Sequence, residues 1–255
     1  MPESLAIAAR CAAELRRLGV DSVRRRGGLS RRAAAIDAAT LDRTTGRFAI
    51  VLEDLAALHG ATHAKGAGAA WLGTNSTDPL LPLAAAAMGP LTRRVARHDQ
   101  TTVPPASARL LRSYRRWAHL LDEGPQSVLH GDPHPGNVYL HGDRVGLLDW
   151  QAVRRGNPQR DATYFLVLSL PADVRRRHER DLLDHYRSEL AGARGPVRTP
   201  EETWQDHRRM AAYAYVAAVF TFGLGGLQGA DVADVGLRRA ADAVADLETA
   251  RILAD

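Results

Sequence analysis

Asp132, Asn137 and Asp149 are the residues of this 255-residue chain whose types and spacing could do chemistry together. They fall within HGDPHPGNVYLHGDRVGLLDW, where an apolar stretch delivers Asp132 to a segment pinned by Pro133, Pro135 and Gly136. Phosphoryl transfer from a nucleoside triphosphate needs a carboxylate to receive or orient the attacking hydroxyl. It also needs oxygen ligands for the magnesium ions that neutralise the phosphates. Taken singly, each of the three reads as a loop cap or turn residue. Three of them set around one hairpin favour the chemical reading. His130, Asp132, His134 and His141 also admit a zinc reading, which lacks a second ligand-spaced group elsewhere in the chain. His134 and His141 are expected to be exposed loop residues, and His130 to bond the backbone and fix the loop.

The elements that must position this segment are mostly helices. Ser4–Leu18 has apolar residues at helical spacing with Gly19 as a stop, and Arg31–Leu41 can form a second helix before a turn at Asp42–Gly46. Phe48–Leu52 (FAIVL) is short, apolar and rich in strand formers, and is expected to be one buried strand. Helical stretches follow around Leu55–Ala64 and Pro82–Ala96. Ser107–Leu121 is the clearest amphipathic helix, with Leu110, Leu111, Tyr114, Trp117 and Leu121 on one face. Ser127–Leu129, Val138–Leu140 and Val145–Leu148 read as strands, the last two joined as a hairpin through His141, Gly142 and Asp143. Asp161–Leu170, Asp173–Leu190, Glu201–Phe222 and Val235–Leu253 are then helical, with a capping box formed by Thr199 and Glu202.

Composition narrows the function. The chain is 45% hydrophobic and 25% charged, an ordinary globular profile. Its lone Cys11 excludes a disulfide framework and a cysteine-rich zinc module, and a reducing, cytoplasmic setting is expected. The net charge of +5 rests on arginines scattered among acids. The nearest basic cluster, Arg24–Arg26 with Arg31 and Arg32, carries no interleaved aromatics, which argues against nucleic acid. Met210–Leu227 is uncharged, but its alanines, glycines and tyrosines dilute it, and a buried core helix is expected rather than a membrane span.

The pattern H-G-D-x-x-x-x-N at His130–Asn137, followed by L-L-D-W at Leu147–Trp150, resembles the signature of the aminoglycoside phosphotransferase and choline kinase group. The order Asp, Asn, hairpin, Asp is also that of the general kinase template. The resemblance implies a protein-kinase-like fold, α+β and mostly α-helical, that moves phosphate from ATP or GTP with Mg2+ to a hydroxyl of a small molecule. It implies Asp132 as catalytic base and Asn137 and Asp149 as magnesium ligands. Asp161, in GNPQRDATYFL, matches a helix-start Asp that supports the active-site region structurally. GRFAIVLEDL is similar to the last small-lobe strand and hinge of the group, which would put backbone groups of Glu53, Asp54 and Leu55 against the adenine.

On this reading residues 1–54 are a remnant of the nucleotide-binding lobe and hinge, and residues 55–255 are the helical catalytic and substrate lobe. A full small lobe of five strands and a helix needs about 60 residues. Only 47 precede Phe48, without a glycine-rich phosphate loop or a lysine, since Lys65 lies beyond the hinge. The small lobe is therefore expected to be truncated. Two alternatives follow: a catalytically inactive binding or scaffold module, or a partner chain that supplies the missing strands along the Phe48–Leu52 edge. Glu201, Glu202, Asp206, Asp231 and Asp234 read either as an acceptor lining for a cation or as solvated helix faces. Tyr213, Tyr215, Phe220 and Phe222 read as core.

Overall fold

The computed structural model describes residues 41–63, 71–141 and 144–254. The expected Ser4–Leu18 helix, the Arg31–Leu41 helix up to residue 40, the arginines at 24–26, Lys65 and the hairpin residues Gly142 and Asp143 lie outside them.

Leu41–His63 is a single helix, α1, and it replaces both the turn expected at Asp42–Gly46 and the strand expected at Phe48–Leu52. The five apolar residues FAIVL favour a strand when read alone. Over the longer window Phe48, Val51, Leu52, Leu55, Leu58 and His59 are buried, a spacing of three and four that only a helix presents to one face. That face packs against α6, Ala172–Gly192, and tertiary burial overrides local β preference. Gly60 marks how close they come, because a Cβ there would overlap the backbone of Ala193 just past the end of α6. With Phe48–Leu52 helical, no sheet edge stands there for a partner chain to cover.

Leu81–His98 forms α2 and carries Pro90 inside it. The helix expected over Ser107–Leu121 is broken into α3 (Pro105–Arg112), α4 (Tyr114–Trp117) and a 3-10 stretch, Ala118–Asp122. The indole N–H of Trp117 donates to the Leu110 carbonyl oxygen at 2.8 Å across this break. Apolar spacing persists through it, which is why the sequence reads as continuous.

Two small antiparallel sheets follow. Strand β1 (Ser127–Leu129) pairs with β4 (Arg154–Gly156), and β2 (Val138–His141) pairs with β3 (Arg144–Leu147) in the expected hairpin. The pairing of β4 was not legible, since RRG has no strand pattern. The chain ends in α5 (Gln159–Ser169), α6, α7 (Pro200–Leu224), α8 (Ala230–Asp246) and α9 (Thr249–Ile252). The capping box at Thr199 and Glu202 opens α7 as expected, and Val235–Leu253 is divided by a turn between α8 and α9.

Two apolar clusters sit either side of α5. One joins α2, α3, α4, α7 and α8 through Met88, Leu111, Trp117, Tyr215 and Leu237. The other joins α1, α5, α6 and β3 through Leu52, Leu55, Phe165, Leu182 and Leu147. Most of the uncharged Met210–Leu227 run is the interior of α7, and no described helix is long and apolar enough to cross a membrane.

Candidate active site

Strand β1 ends at Leu129 and hands the chain to His130, Gly131 and Asp132. Helix α5 begins behind them and aims Asp161 at their backbone. The Asp161 carboxylate accepts from the N–H of His130 at 2.6 Å and of Gly131 at 3.1 Å, and meets His59 Nε2 of α1 at 3.3 Å. His59 Nδ1 lies 2.8 Å from the Tyr186 hydroxyl on α6. Burial alone would raise the Asp161 pKa, yet the His59 hydrogen bond and the nearby positive charges hold it below the usual value. Backbone donors act in the same direction. The group is an ionised buried strut beneath the loop.

Gly131 is required where it stands. Its φ of 88° is the left-handed region, and a Cβ would overlap the Ala152 carbonyl oxygen. His130 bonds the backbone through both ring nitrogens. Its Nδ1 accepts from the Asp132 N–H at 3.3 Å, and its Nε2 lies 2.7 Å from the Leu148 carbonyl oxygen, the donor tautomer. Burial lowers the His130 pKa against the pull of Asp161, so the ring is neutral and can hold both bonds. Trp150 packs on its edge, 4.7 Å between centroids.

These contacts leave the Asp132 side chain 28% exposed while its backbone is fixed. Its Oδ1 accepts from the Tyr164 hydroxyl of α5 at 2.6 Å. Burial, and then the Asp132 charge, raise the Tyr164 pKa well above the usual value, which keeps it a donor. Asn137 Nδ2 donates to the Asp132 carbonyl oxygen at 2.9 Å and to Oδ2 at 3.3 Å. His134 Nε2 stands 3.6 Å from Oδ2, and its Nδ1 accepts from the Gly136 N–H, so His134 stays in the loop turn.

The structure thus brings Asp132 and Asn137 into contact and joins Asp149 to them by backbone. The Leu148 N–H donates to the Asn137 carbonyl oxygen at 2.7 Å, and β2–β3 register sets Val138 opposite Leu147. Asn137 and Asp149 therefore flank the open end of one hairpin. Asp149 is exposed, with φ 58° and ψ 75°, and its carboxylate accepts from the Gln151 N–H at 3.4 Å. A non-glycine residue held left-handed at this point is a strained position of the kind found at functional sites. No cluster of three metal-ligating side chains rich in histidine, cysteine or carboxylate occurs among the described residues, so the zinc reading gains nothing.

The hinge expectation is corrected. Glu53, Asp54 and Leu55 lie mid-helix in α1, where backbone N–H and C=O groups are committed to intrahelical bonds and cannot meet an adenine. Glu53 instead pairs with His185 at 3.0 Å, Leu55 is core, and burial pushes the Asp54 carboxyl up to about 6. Three of the acids weighed as an acceptor lining are held by other groups. Glu202 caps α7, Asp206 pairs with Arg198 and Asp234 with Arg238.

Sequence reading missed four residues around the loop: His59, Tyr164, Arg160 and Tyr213. His59 and Tyr164 carried a signal, a lone polar group within an apolar helix face. Tyr213, read as core, is half-buried, with its hydroxyl 3.5 Å from the Gly131 carbonyl oxygen and its ring 5.7 Å from Tyr164. Arg160 lies on the Tyr213 ring at 3.8 Å. All three of its guanidinium nitrogens are buried without a hydrogen-bond partner. A cation–π contact contributes about 2 kcal/mol when desolvated, less than the several kcal/mol that burying a cation costs.

No curated protein matches the chain. Among solved structures, a choline/ethanolamine kinase family protein from Mesorhizobium loti aligns over 85% of this chain and 67% of its own, with 18% identity and a TM-score of 0.47. The family model described as the phosphotransferase enzyme family (APH) matches residues 22–213. That span takes in α1, the catalytic-type loop, the hairpin and the Asp161 strut, and the chain belongs to this phosphotransferase family, kinase-like in fold and mostly helical with small antiparallel sheets.

Proposed function

We propose that the protein transfers the γ-phosphate of ATP or GTP to a hydroxyl of a small molecule, with Asp132 as base and Asn137 and Asp149 as magnesium ligands. The observation that carries this reading is the clamped loop. Asp132 presents a partly exposed carboxylate on a backbone fixed by Asp161 and His130, with Asn137 bonded to it. The donor set fits Mg2+, which takes hard oxygen ligands from carboxylates and amides. Both Nδ2 bonds of Asn137 go to Asp132, which turns its amide oxygen the other way, and the Asp149 carboxylate is exposed at the same hairpin end. When bound, the ion supplies charge neutralisation on the triphosphate.

The protein's own groups do the rest. Tyr164 fills Oδ1 of Asp132 from the buried side, so the acceptor hydroxyl gives its proton at Oδ2. His130 and Asp161 keep that oxygen in place, since a displacement of about 1 Å costs ~100-fold in rate. The test is ADP release from Mg·ATP with a panel of small hydroxyl compounds. Asp132→Ala should lower the rate by about two to four orders of magnitude, and an unchanged rate would overturn the role of Asp132.

The helical state of Glu53–Leu55 favours the second reading, an inactive binding module, because no adenine hinge stands where one was expected. Calorimetry decides between them. Magnesium-dependent ATP binding in the micromolar range sinks the inactive reading, and its absence sinks the first.

A further inference from the structure

The acceptor approaches Asp132 at Oδ2, because Tyr164 fills Oδ1 from the buried side. Two side chains outside the machinery described so far reach that oxygen's surroundings. His134 Nε2 stands 3.6 Å from Oδ2, and Gln228 Nε2 stands 3.4 Å from His134 Nε2. Gln228 comes from the turn between α7 and α8, which Gly225 and Gly226 reverse with φ of 71° and 76°. The Asp132 and His134 side chains are 28% and 20% exposed and Gln228 is half-buried, so solvent reaches all three.

The backbone sets which nitrogen of His134 carries hydrogen. The Gly136 N–H can only donate, and it lies 3.0 Å from Nδ1, so Nδ1 accepts and the neutral ring has its hydrogen on Nε2. Gly136 lets the ring fold back this way, since a Cβ there would stand 2.7 Å from His134 Cε1. The Gln228 amide nitrogen is a donor as well. Two donors thus face each other beside a carboxylate oxygen, and among the described residues neither has an acceptor within hydrogen-bond distance. Donors left in this way call for an acceptor from outside, and an oxygen between them would take both N–H groups. Hydroxyls on adjacent carbons, in the gauche arrangement, are separated by close to a hydrogen-bond length. The 3.6 Å between Oδ2 and Nε2 therefore lets one hydroxyl donate to Oδ2 while its neighbour accepts from Nε2.

We propose that His134 and Gln228 determine acceptor specificity, and that the acceptor is a vicinal diol. One hydroxyl gives its proton to Asp132 Oδ2 as its oxygen bonds the γ-phosphorus. The bond from that phosphorus to the bridging oxygen breaks, and the nucleoside diphosphate leaves with the electron pair. The neighbouring hydroxyl oxygen accepts from His134 Nε2 and Gln228 Nε2 and is unchanged. The role of Oδ2 rests on the phosphotransferase reading, whereas the convergence of the two donors does not.

The test compares cyclohexanol, the cis vicinal diol of cyclohexane, and the cis diol with one methylene between its hydroxyl-bearing carbons. ADP release under Mg·ATP gives kcat/KM for each with the full chain. Histidine ring NMR signals, assigned with His134→Asn, follow binding without nucleotide. The vicinal diol should be favoured over the other two by about tenfold, the worth of one good neutral hydrogen bond, and it alone should shift the His134 signals saturably. His134→Asn keeps a cap for the Gly136 N–H and should lose the preference. Gln228→Leu should cut it severalfold, and Gln228→Glu should abolish it, because a carboxylate oxygen would take the His134 N–H in place of the diol. Equal kcat/KM for the three compounds overturns the proposal, as does a wild-type preference retained in Gln228→Glu. Should His134→Asn not fold, the two Gln228 variants decide. Shifts of a histidine signal with the vicinal diol alone, without ADP release from any compound, would sink the phosphotransferase reading and leave this one. ADP release that does not discriminate among the three would sink this one alone. Neither shift nor release from any of them also overturns it, and the Mg·ATP titration then judges the phosphotransferase reading.

Discussion

Removing the Asp161 carboxylate should loosen the loop and slow the reaction together. In Asp161→Ala the N–H groups of His130 and Gly131 lose acceptors at 2.6 Å and 3.1 Å, and His59 loses a partner at 3.3 Å. Each hydrogen bond to a charged group contributes about 1.5–3 kcal/mol, and a buried donor left unpaired costs ~1–3 kcal/mol. With water able to enter the vacated volume, the net loss is about 3–5 kcal/mol. Asp161→Asn keeps one acceptor oxygen of the same shape and should lose about 2 kcal/mol. His59→Phe leaves both loop N–H groups bonded and should lose less than the alanine variant. Equilibrium urea unfolding at neutral pH, followed by far-ultraviolet circular dichroism, reads all three. Because Asp132 follows directly on the clamped residues, ADP release should also fall by ~100-fold in Asp161→Ala. A stability within about 1 kcal/mol of wild type, or an unaltered rate in a destabilised variant, would refute the claim that this carboxylate holds the loop.

Two further outcomes follow from local geometry. Burial lifts the Asp54 carboxyl from 3.8 to about 6, and its Oδ2 has no hydrogen-bond partner. Because the folded-state value lies above the unfolded one, the folded chain holds the extra proton between those pH values, and stability falls as pH rises through them. The shift caps the effect at about 3 kcal/mol, and partial solvation brings it to about 1–2 kcal/mol. Asp54→Asn should flatten this dependence and be the more stable protein at pH above 7, and an unchanged slope in urea titrations across that window would exclude it. Gly131→Ala should cost about 3 kcal/mol or more, since the residue sits at φ 88° with the Ala152 carbonyl against it. Wild-type unfolding in that variant would mean the loop has another conformation.

The catalytic-type loop was legible because its information is local. Asp132, Asn137 and Asp149 are tied by a turn and a hairpin, and the register of β2 and β3 follows from the alternation around His141. The long helices α6 and α7 were legible for a related reason, since their apolar period persists for many turns and a capping box marks where α7 starts. Phe48–Leu52 failed because a short apolar run with three β-favouring residues, Phe48, Ile50 and Val51, outvoted a helical stripe that only emerges once His59 and Leu58 are counted with them. The pairing of β4 with β1 and the approach of Arg160 to Tyr213 left no trace, since neither RRG nor a lone Arg before Asp161 states what will face it across the fold. Asp161 was placed by resemblance alone; nothing in its own spacing says that its partners lie about thirty residues upstream, at His130 and Gly131.

Burial divides the labour between the two aspartates on either side of this loop. Asp161, with no exposure, meets backbone N–H groups and a histidine and has no oxygen left to offer a substrate. Asp132 keeps its backbone bonded to His130 and its carboxylate partly in solvent. Neither could take the other's place: the proposed role of Asp132 needs an oxygen that a hydroxyl can reach, and a strut needs every oxygen occupied. Gly131 between them has its N–H held by Asp161 and its carbonyl near Tyr213, so the position of Asp132 is set from α5 behind and from α7 beside it.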